Sequence, residues 1–258
     1  MSGLGLLVTS YNSREFVDRF VDWMGACHKY FDEIIIVDDC STDGSCMELL
    51  GKLSDLDNIE HISLSKNSGR PSVPRNVGIK HFRGVSRVVF LDIDDLLTTD
   101  YLSYLNKEEI MVSKNVYSGT KFELRDEVFP RDYLSDFTRV MVVTPKILHF
   151  KNFITLSGSS VPLSIIEDLE FRNQPLEDWL FWRALVSKNE GISLIKLLDV
   201  PVGYDVGPSL SPSKAKQIKR VSSNLHFLEI PCFFLLTLKL RFVEMCLRFR
   251  VKKFLRTT

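Results

Sequence analysis

Three observations in this sequence predict an α/β fold with a doubly wound, mostly parallel central sheet and flanking helices. Short apolar runs alternate with helical patterns through the first hundred residues, the runs are unbroken rather than alternating, and acid-rich polar clusters follow them. Unbroken apolar strands belong to parallel sheets covered on both faces. The strand–helix–strand alternation requires right-handed crossovers. At 258 residues the chain suits one large domain with at most a short appendage.

The elements follow in order. Residues 4–8 form a short buried strand. Asn12 with Glu15 has the form of a capping box, after which Phe16, Val17, Phe20, Val21 and Met24 recur at helical spacing. Residues 34–37, Ile-Ile-Ile-Val, make a second strand, and a polar turn over 38–45 leads to a helix carrying Met47, Leu49, Leu50 and Leu53. Residues 59–64 read as a third strand, 74–82 as a short helix and 88–91 as a fourth strand ending in acids. Beyond it, 116–122 and 140–143 look like strands, 176–186 like a helix with Glu177 and Asp178 in its first turn, and 192–198 like a further strand. A loop rich in Pro, Gly and Ser spans 200–213. The composition changes near Lys214, which predicts a domain over 1–213, with halves 1–105 and 106–213, and a tail over 214–258.

Apolar content of 45% and charged content of 26% are those of an ordinary soluble domain. Net charge is zero, which gives the whole molecule no bias toward nucleic acid, but residues 214–258 carry eleven Lys or Arg against two acids, a tail of +9 on a body of −9. In that tail Arg241, Arg248, Arg250, Lys252, Lys253 and Arg256 interleave with Phe242, Leu247, Phe249 and Phe254, a pattern suited to an anionic membrane surface or, alternatively, to a packing helix or a contact with a second copy. No nucleic-acid reader motif accompanies the charge. The five cysteines include no C-x-x-C pair, and their odd number suits reduced thiols. No secretory leader pattern opens the chain and no apolar run is long enough to span a bilayer, so a cytoplasmic setting is expected.

Ligands of doubly wound sheets bind beyond the carboxyl ends of the strands. There the sequence places Thr9-Ser10-Tyr11-Asn12, Asp38-Asp39 and Asp92-Ile93-Asp94-Asp95. Acids spaced one apart after a buried strand can hold a hard divalent cation, and such an ion neutralises charge on a departing diphosphate; a solvated acidic turn has the same sequence. Asp38 or Asp39 can accept a base imide or ribose hydroxyl, or act as a turn or cap acid, a part for which Ser41 and Asp43 also compete. Arg70 and Arg75 suit phosphate, and the glycines beside them suit tight turns.

The segments Thr9 to Asn12, Val37 to Ser45, Asn67-Ser68-Gly69, Arg75-Asn76-Val77-Gly78 and Phe90 to Asp95 occur in the order and spacing of family-2 glycosyltransferases, and the chain resembles that family densely over about residues 4–105. The resemblance implies a GT-A fold in which Thr9, Tyr11 and Asp39 line the nucleoside pocket, Asp39 reads the base, and Asn67 and Gly69 also bind the donor. It also implies that Arg75 approaches the donor diphosphate or sugar, and that Asp92 and Asp94 form a D-x-D element in which Asp94 or Asp95 touches Mn2+ or Mg2+. Glu177-Asp178-Trp179 resembles the family's E-D motif, which makes Asp178 the base that deprotonates the acceptor. Tyr204, Ser209-Leu210-Ser211 and Lys214 resemble a loop that closes over the donor. The implied reaction is a single inverting transfer from a nucleotide sugar, with a uracil base by analogy, to a saccharide or lipid-linked saccharide at a bacterial surface. The Q-x-x-R-W signature of processive synthases is absent from the sequence. Residues 90–95 are also similar to the first motif of haloacid-dehalogenase-type phosphatases, with Asp92 as nucleophile, although that motif normally opens its fold. A non-catalytic nucleotide-sugar binder on the same fold is the third alternative.

Overall fold

The computed structural model describes residues 3–123 and 140–204. Of these, 3–123, 140–145 and 153–204 belong to one compact unit, and 146–152 lie outside it. The boundary expected at Lys214, the closing loop around Ser209 and the basic tail lie outside the described residues.

The chain begins with strand β1 (Leu4–Ser10), helix α1 (Val17–Cys27), β2 (Glu33–Asp38), α2 (Ser45–Leu53), β3 (Ile59–Ser63), α3 (Ser72–Ile79) and β4 (Arg87–Asp92). These four strands are mutually parallel in the order β3-β2-β1-β4. Chain order therefore runs outward from β1 to β3 on one side and returns to β4 on the other, which makes the gap above β1 and β4 a topological switch point.

Every residue of β1 is buried, and so are Ile34 to Asp38 in β2. The reason is cover on both faces. Leu4, Leu6 and Val8 join Phe20, Met24, Cys27, Leu49 and Leu53 in one apolar cluster under α1 and α2. Leu7 points the other way, against α3. A Cβ on Gly78 would lie 2.1 Å from Leu7 Cδ1, so only glycine lets α3 sit this close to β1. Helix α1 buries Val17, Phe20, Trp23, Met24 and Cys27, each large side chain worth about 1.5–3 kcal/mol on removal from water. Burial also pushes the Cys27 thiol up to about 11, with Lys29 partly opposing, and so keeps it protonated. Helix α2 is less committed than its sequence predicts: Leu49 and Leu53 are buried, but Met47 is 72% exposed and Leu50 is exposed as well.

Past β4 come β5 (Leu96–Leu97), α4 (Thr99–Leu105), α5 (Glu108–Met111), β6 (Val116–Glu123), β7 (Val140–Val143), α6 (Pro145–Phe150), β8 (Ser160–Pro162), α7 (Glu177–Lys188) and β9 (Leu194–Tyr204). They continue the sheet as β4-β8-β6-β9-β5, with β7 also on β9, and with antiparallel pairs at β4/β8, β6/β8, β5/β9 and β7/β9. The sheet is thus mixed but mostly parallel in its first half, as a GT-A fold requires. Five of these elements, β5, α4, α5, α6 and β8, escape sequence reading. Residues 153–162 carry serines and glycine without periodicity, and β5 has two residues. Helix α4 did carry a signal, since the Thr98 hydroxyl caps it by accepting from Tyr101 N at 3.2 Å.

Arg87 joins the two halves. It is fully buried, with Nε donating to Ser160 Oγ, Nη1 to Ser113 O, and Nη2 to Asn115 O and Ser160 O. Burial among neutral acceptors lowers its pKa to about 10, partly offset by Tyr117 and Tyr101.

Candidate active site

Strand register brings the polar clusters together. Thr9 pairs with Asp92 across β1 and β4, and Ser10 pairs with Asp38 across β1 and β2. The acids after β2 and β4 therefore flank the same end of β1, on one rim.

The first expected helix start is built differently. Asn12 does not cap; it adopts φ 46° and its Oδ1 accepts from Thr42 N at 2.8 Å, while its own N–H donates to Ser41 Oγ at 2.8 Å. Ser13 precedes the first helical turn without a side-chain cap. Asn12 thus staples the loop after β1 to the loop after β2. Among the described residues three non-glycine residues have positive φ, namely Asn12, Cys40 and Leu176, and all three lie in segments bordering this rim. Strain of this kind is retained where the surroundings impose it, often at functional sites.

The neighbouring acids Asp38 and Asp39 part company. Asp38 accepts from Ser41 N at 2.8 Å and from Ser41 Oγ, closing its own turn. Asp43 is the acid at the start of α2, accepting from Ser45 N and Oγ and from Arg14 N; these bonds outweigh its desolvation and hold its carboxyl below the usual range. Asp39 faces the other way. It is 4% exposed, its Oδ1 accepts from Ser68 N at 3.0 Å, and its Oδ2 accepts from Ser68 Oγ at 2.8 Å and Asn67 Nδ2 at 3.3 Å. A carboxylate has about four acceptor positions, so Oδ1 keeps one for a further donor. Asn67 Oδ1 in turn accepts from Gly69 N, and Gly69 takes φ 77°, the turn geometry expected of it. Tyr11 stands on the same rim, 47% exposed.

The fourth strand ends in a tight turn. Asp95 N donates to Asp92 O at 2.9 Å, and Arg19 Nη2 on α1 donates to Asp94 O at 2.9 Å. Asp92 Oδ1 accepts from Thr9 Oγ1 at 2.9 Å and Arg75 Nη2 at 2.8 Å, and Asp92 N donates to Ser157 Oγ. The Asp92 side chain is 37% exposed, Asp94 is half-buried and Asp95 is buried. Among the described residues no cluster of three or more His, Cys, Asp or Glu could enclose a metal. Asp92 and Asp94, the less buried acids of this turn, are those that a hard cation taking most of its oxygens from ligand and water would meet.

Arg75 is where the structure adds most to the sequence. Its side chain is buried, with Nη2 on Asp92 and Nη1 3.4 Å from Glu177 Oε1, and its guanidinium lies over the Phe171 ring. It therefore ties the acid turn after β4 to the first turn of α7, which carries Glu177 and Asp178. Asp178 is half-buried at that helix N-terminus. Thr9, Asp92, Arg75, Glu177 and, through its neighbour, Asp178 are thus drawn into one neighbourhood, with Asp39, Asn67 and Gly69 along the same rim.

Residues 6–110 match the family model described as Glycosyl transferase family 2. Over that stretch the chain is similar to glycosyltransferase family 2. Among curated proteins, it is 32% identical over 112 residues to the poly(ribitol-phosphate) beta-N-acetylglucosaminyltransferase TarS of Staphylococcus aureus, covering 43% of this chain and 18% of TarS. It is 33% identical over 124 residues to the putative teichuronic acid biosynthesis glycosyltransferase TuaG of Bacillus subtilis, covering 47% of each. The chain thus spans less than half the length of these relatives. Among solved structures, TarS residues 1–349 in complex with UDP-GlcNAc superpose with a TM-score of 0.63 at 21% identity, over 91% of this chain and 70% of that one. The mannosyltransferase PcManGT of Pyrobaculum calidifontis, in complex with GDP-Man and Mn2+, gives 0.56 at 17% identity, over 84% and 60%. At these identities the two structures speak for the GT-A fold. The family match gives the phosphatase alternative for Asp92 no support. No helix among the described residues is long and apolar enough to cross a membrane.

Proposed function

We propose that this protein is a family-2 glycosyltransferase that moves one sugar from a UDP-sugar to an acceptor hydroxyl of a bacterial surface polysaccharide or glycoconjugate, with inversion. The observation that carries the reading is the Asp92–Arg75–Glu177 connection, which holds the acid turn and the E-D helix to one rim. In this reading Thr9, Tyr11, Asn67 and Gly69 form the nucleoside pocket, and the remaining acceptor position on Asp39 takes the uracil imide. Residues 1–105 hold the donor and 106–213 the acceptor. Asp92 and Asp94 would hold Mn2+ or Mg2+, with Asp95 buried behind them, and a cation bound there would supply neutralisation of the diphosphate charge. Asp178 accepts the proton of the acceptor hydroxyl as its oxygen bonds to the anomeric carbon and the bond from that carbon to the diphosphate oxygen breaks. Arg75 keeps Asp92 in place rather than gripping the phosphate directly.

The names of TarS and TuaG support a cell-wall polymer as acceptor, and UDP-GlcNAc is the first donor to try. We assign the enzyme to the cytoplasmic face of the membrane, with the basic tail over 214–258 touching anionic lipid. A thermal-shift screen of nucleotide sugars with and without manganese tests the core of this reading. One uridine donor is expected to raise Tm only with metal, and Asp94→Ala to abolish that rise. No response to any donor in either condition would overturn it; binding without sugar release to any acceptor would favour the non-catalytic binder.

A further inference from the structure

One face of α3 is devoted to the irregular segment that precedes the E-D helix. Ser72, Arg75, Asn76 and Lys80 recur at helical spacing, and each meets residues 170–177. Asn76 makes the tightest of these connections. Its Nδ2 donates to Phe171 O at 2.9 Å, and its Oδ1 accepts from Phe171 N at 2.8 Å. One amide side chain therefore satisfies both backbone groups of a residue 95 positions away, as a neighbouring strand would.

Phe171 passes this constraint to α7. Its ring stacks on Phe181 with centroids 3.8 Å apart and planes 7° apart, and Phe181 sits one turn beyond Glu177 and Asp178. The Arg75 guanidinium covers Phe171, and Arg75 also holds Glu177. Helix α3 is itself fixed to β1 through Gly78 and Leu7. At the entry into α7, Leu176 occupies the N-cap position at φ 65° without a side-chain cap.

We propose that Asn76 is a positioning residue. Its amide fixes Phe171, and through the Phe171–Phe181 stack and the Arg75–Glu177 pair it sets where Asp178 stands relative to Asp92. The inference rests on Asp178 being the base, and it assigns a task to a side chain that touches neither nucleotide pocket nor acid turn. Misplacement of a reacting group by about 1 Å can cost on the order of 100-fold in rate.

The test is Asn76→Asp, which keeps the acceptor for Phe171 N and turns an oxygen toward Phe171 O. Turnover is normalised to the concentration of sites that bind the uridine donor. Expected is a fall in kcat of about 10- to 100-fold per binding site, with the donor Kd within about twofold of wild type. Glu177→Gln, which weakens the pull on the same helix and leaves every backbone bond intact, is expected to show the same kcat-selective loss. The double variant should lose less than the product of the two singles. If Asn76→Asp folds poorly, Glu177→Gln and the cycle at reduced temperature still decide. Unchanged kcat per binding site in both variants overturns the inference while leaving the glycosyltransferase reading intact. A wild-type protein that neither binds nor turns over any nucleotide sugar overturns both.

Discussion

At the close of β2 two adjacent carboxylates meet different partners. Asp38 bonds the N–H and hydroxyl of Ser41, three residues on, whereas Asp39 bonds Ser68 and Asn67 from a distant loop. Their substitution should therefore separate stability from binding. Hydrogen bonds to charged groups contribute about 1.5–3 kcal/mol, so Asp38→Asn is expected to lower Tm by several degrees and leave donor affinity within about twofold. If Asp39 reads the base as proposed, Asp39→Asn puts an amide where the pocket offers an oxygen and should weaken uridine donor binding about tenfold or more. Calorimetric titration beside a melting curve checks both; equal donor affinities in the two variants would sink the assignment of Asp39. At the same scale Arg75 meets partners that the sequence pattern alone did not give. The guanidinium fork expected to approach the donor is buried between two carboxylates, an arrangement that a lysine, with its point charge, could not reproduce.

Helix α3 shows what an element contributes beyond its residues. One face presses on β1, where Gly78 admits Leu7, and another binds the segment before α7. Gly78→Ala would normally favour a helix by about 1 kcal/mol. Here the added methyl would overlap Leu7, which is itself buried, and overpacking of this kind costs about 1–3 kcal/mol. The expected outcome is a lower denaturant midpoint with an unchanged m-value, together with reduced turnover because α3 carries Arg75 and Asn76. A midpoint equal to or above that of wild type would show that β1 yields to the helix.

Over the whole molecule, stability should depend on pH in two separate windows. Burial lowers the pKa of His61, with Asp38 partly opposing, so the folded state resists its protonation. Above the unfolded value of about 6.5 that stability is fully present, and it is lost as pH falls from there through the depressed folded value. Asp43 has its own window. Its carboxyl is held below 3.8, so its contribution is present above that value and is lost on further acidification. Chemical denaturation between pH 7.5 and 3 should show the upper slope flattened in His61→Asn and the lower slope flattened in Asp43→Asn. An unchanged upper slope in the histidine variant would remove His61 as its source.

The alternation of strands and helices in the first half, the helices on both faces and the acids at the strand ends were legible from residue pattern alone, because burial on both faces forces unbroken apolar runs and the crossovers force chain direction. Thr9, Asp39 and Asp92 could thereby be placed on a common edge before any coordinates. Three things depended on contacts between residues far apart in sequence. These were the division of labour between Asp38 and Asp39, the burial of Arg75 between Asp92 and Glu177, and the clamp of Asn76 on Phe171. The short strands β5 and β8 were equally hidden, since two or three residues carry no period and take their form from the neighbours that bond them. Local pattern fixes which face of an element is apolar; which carboxylate an arginine meets a hundred residues away is decided only when the sheet has closed.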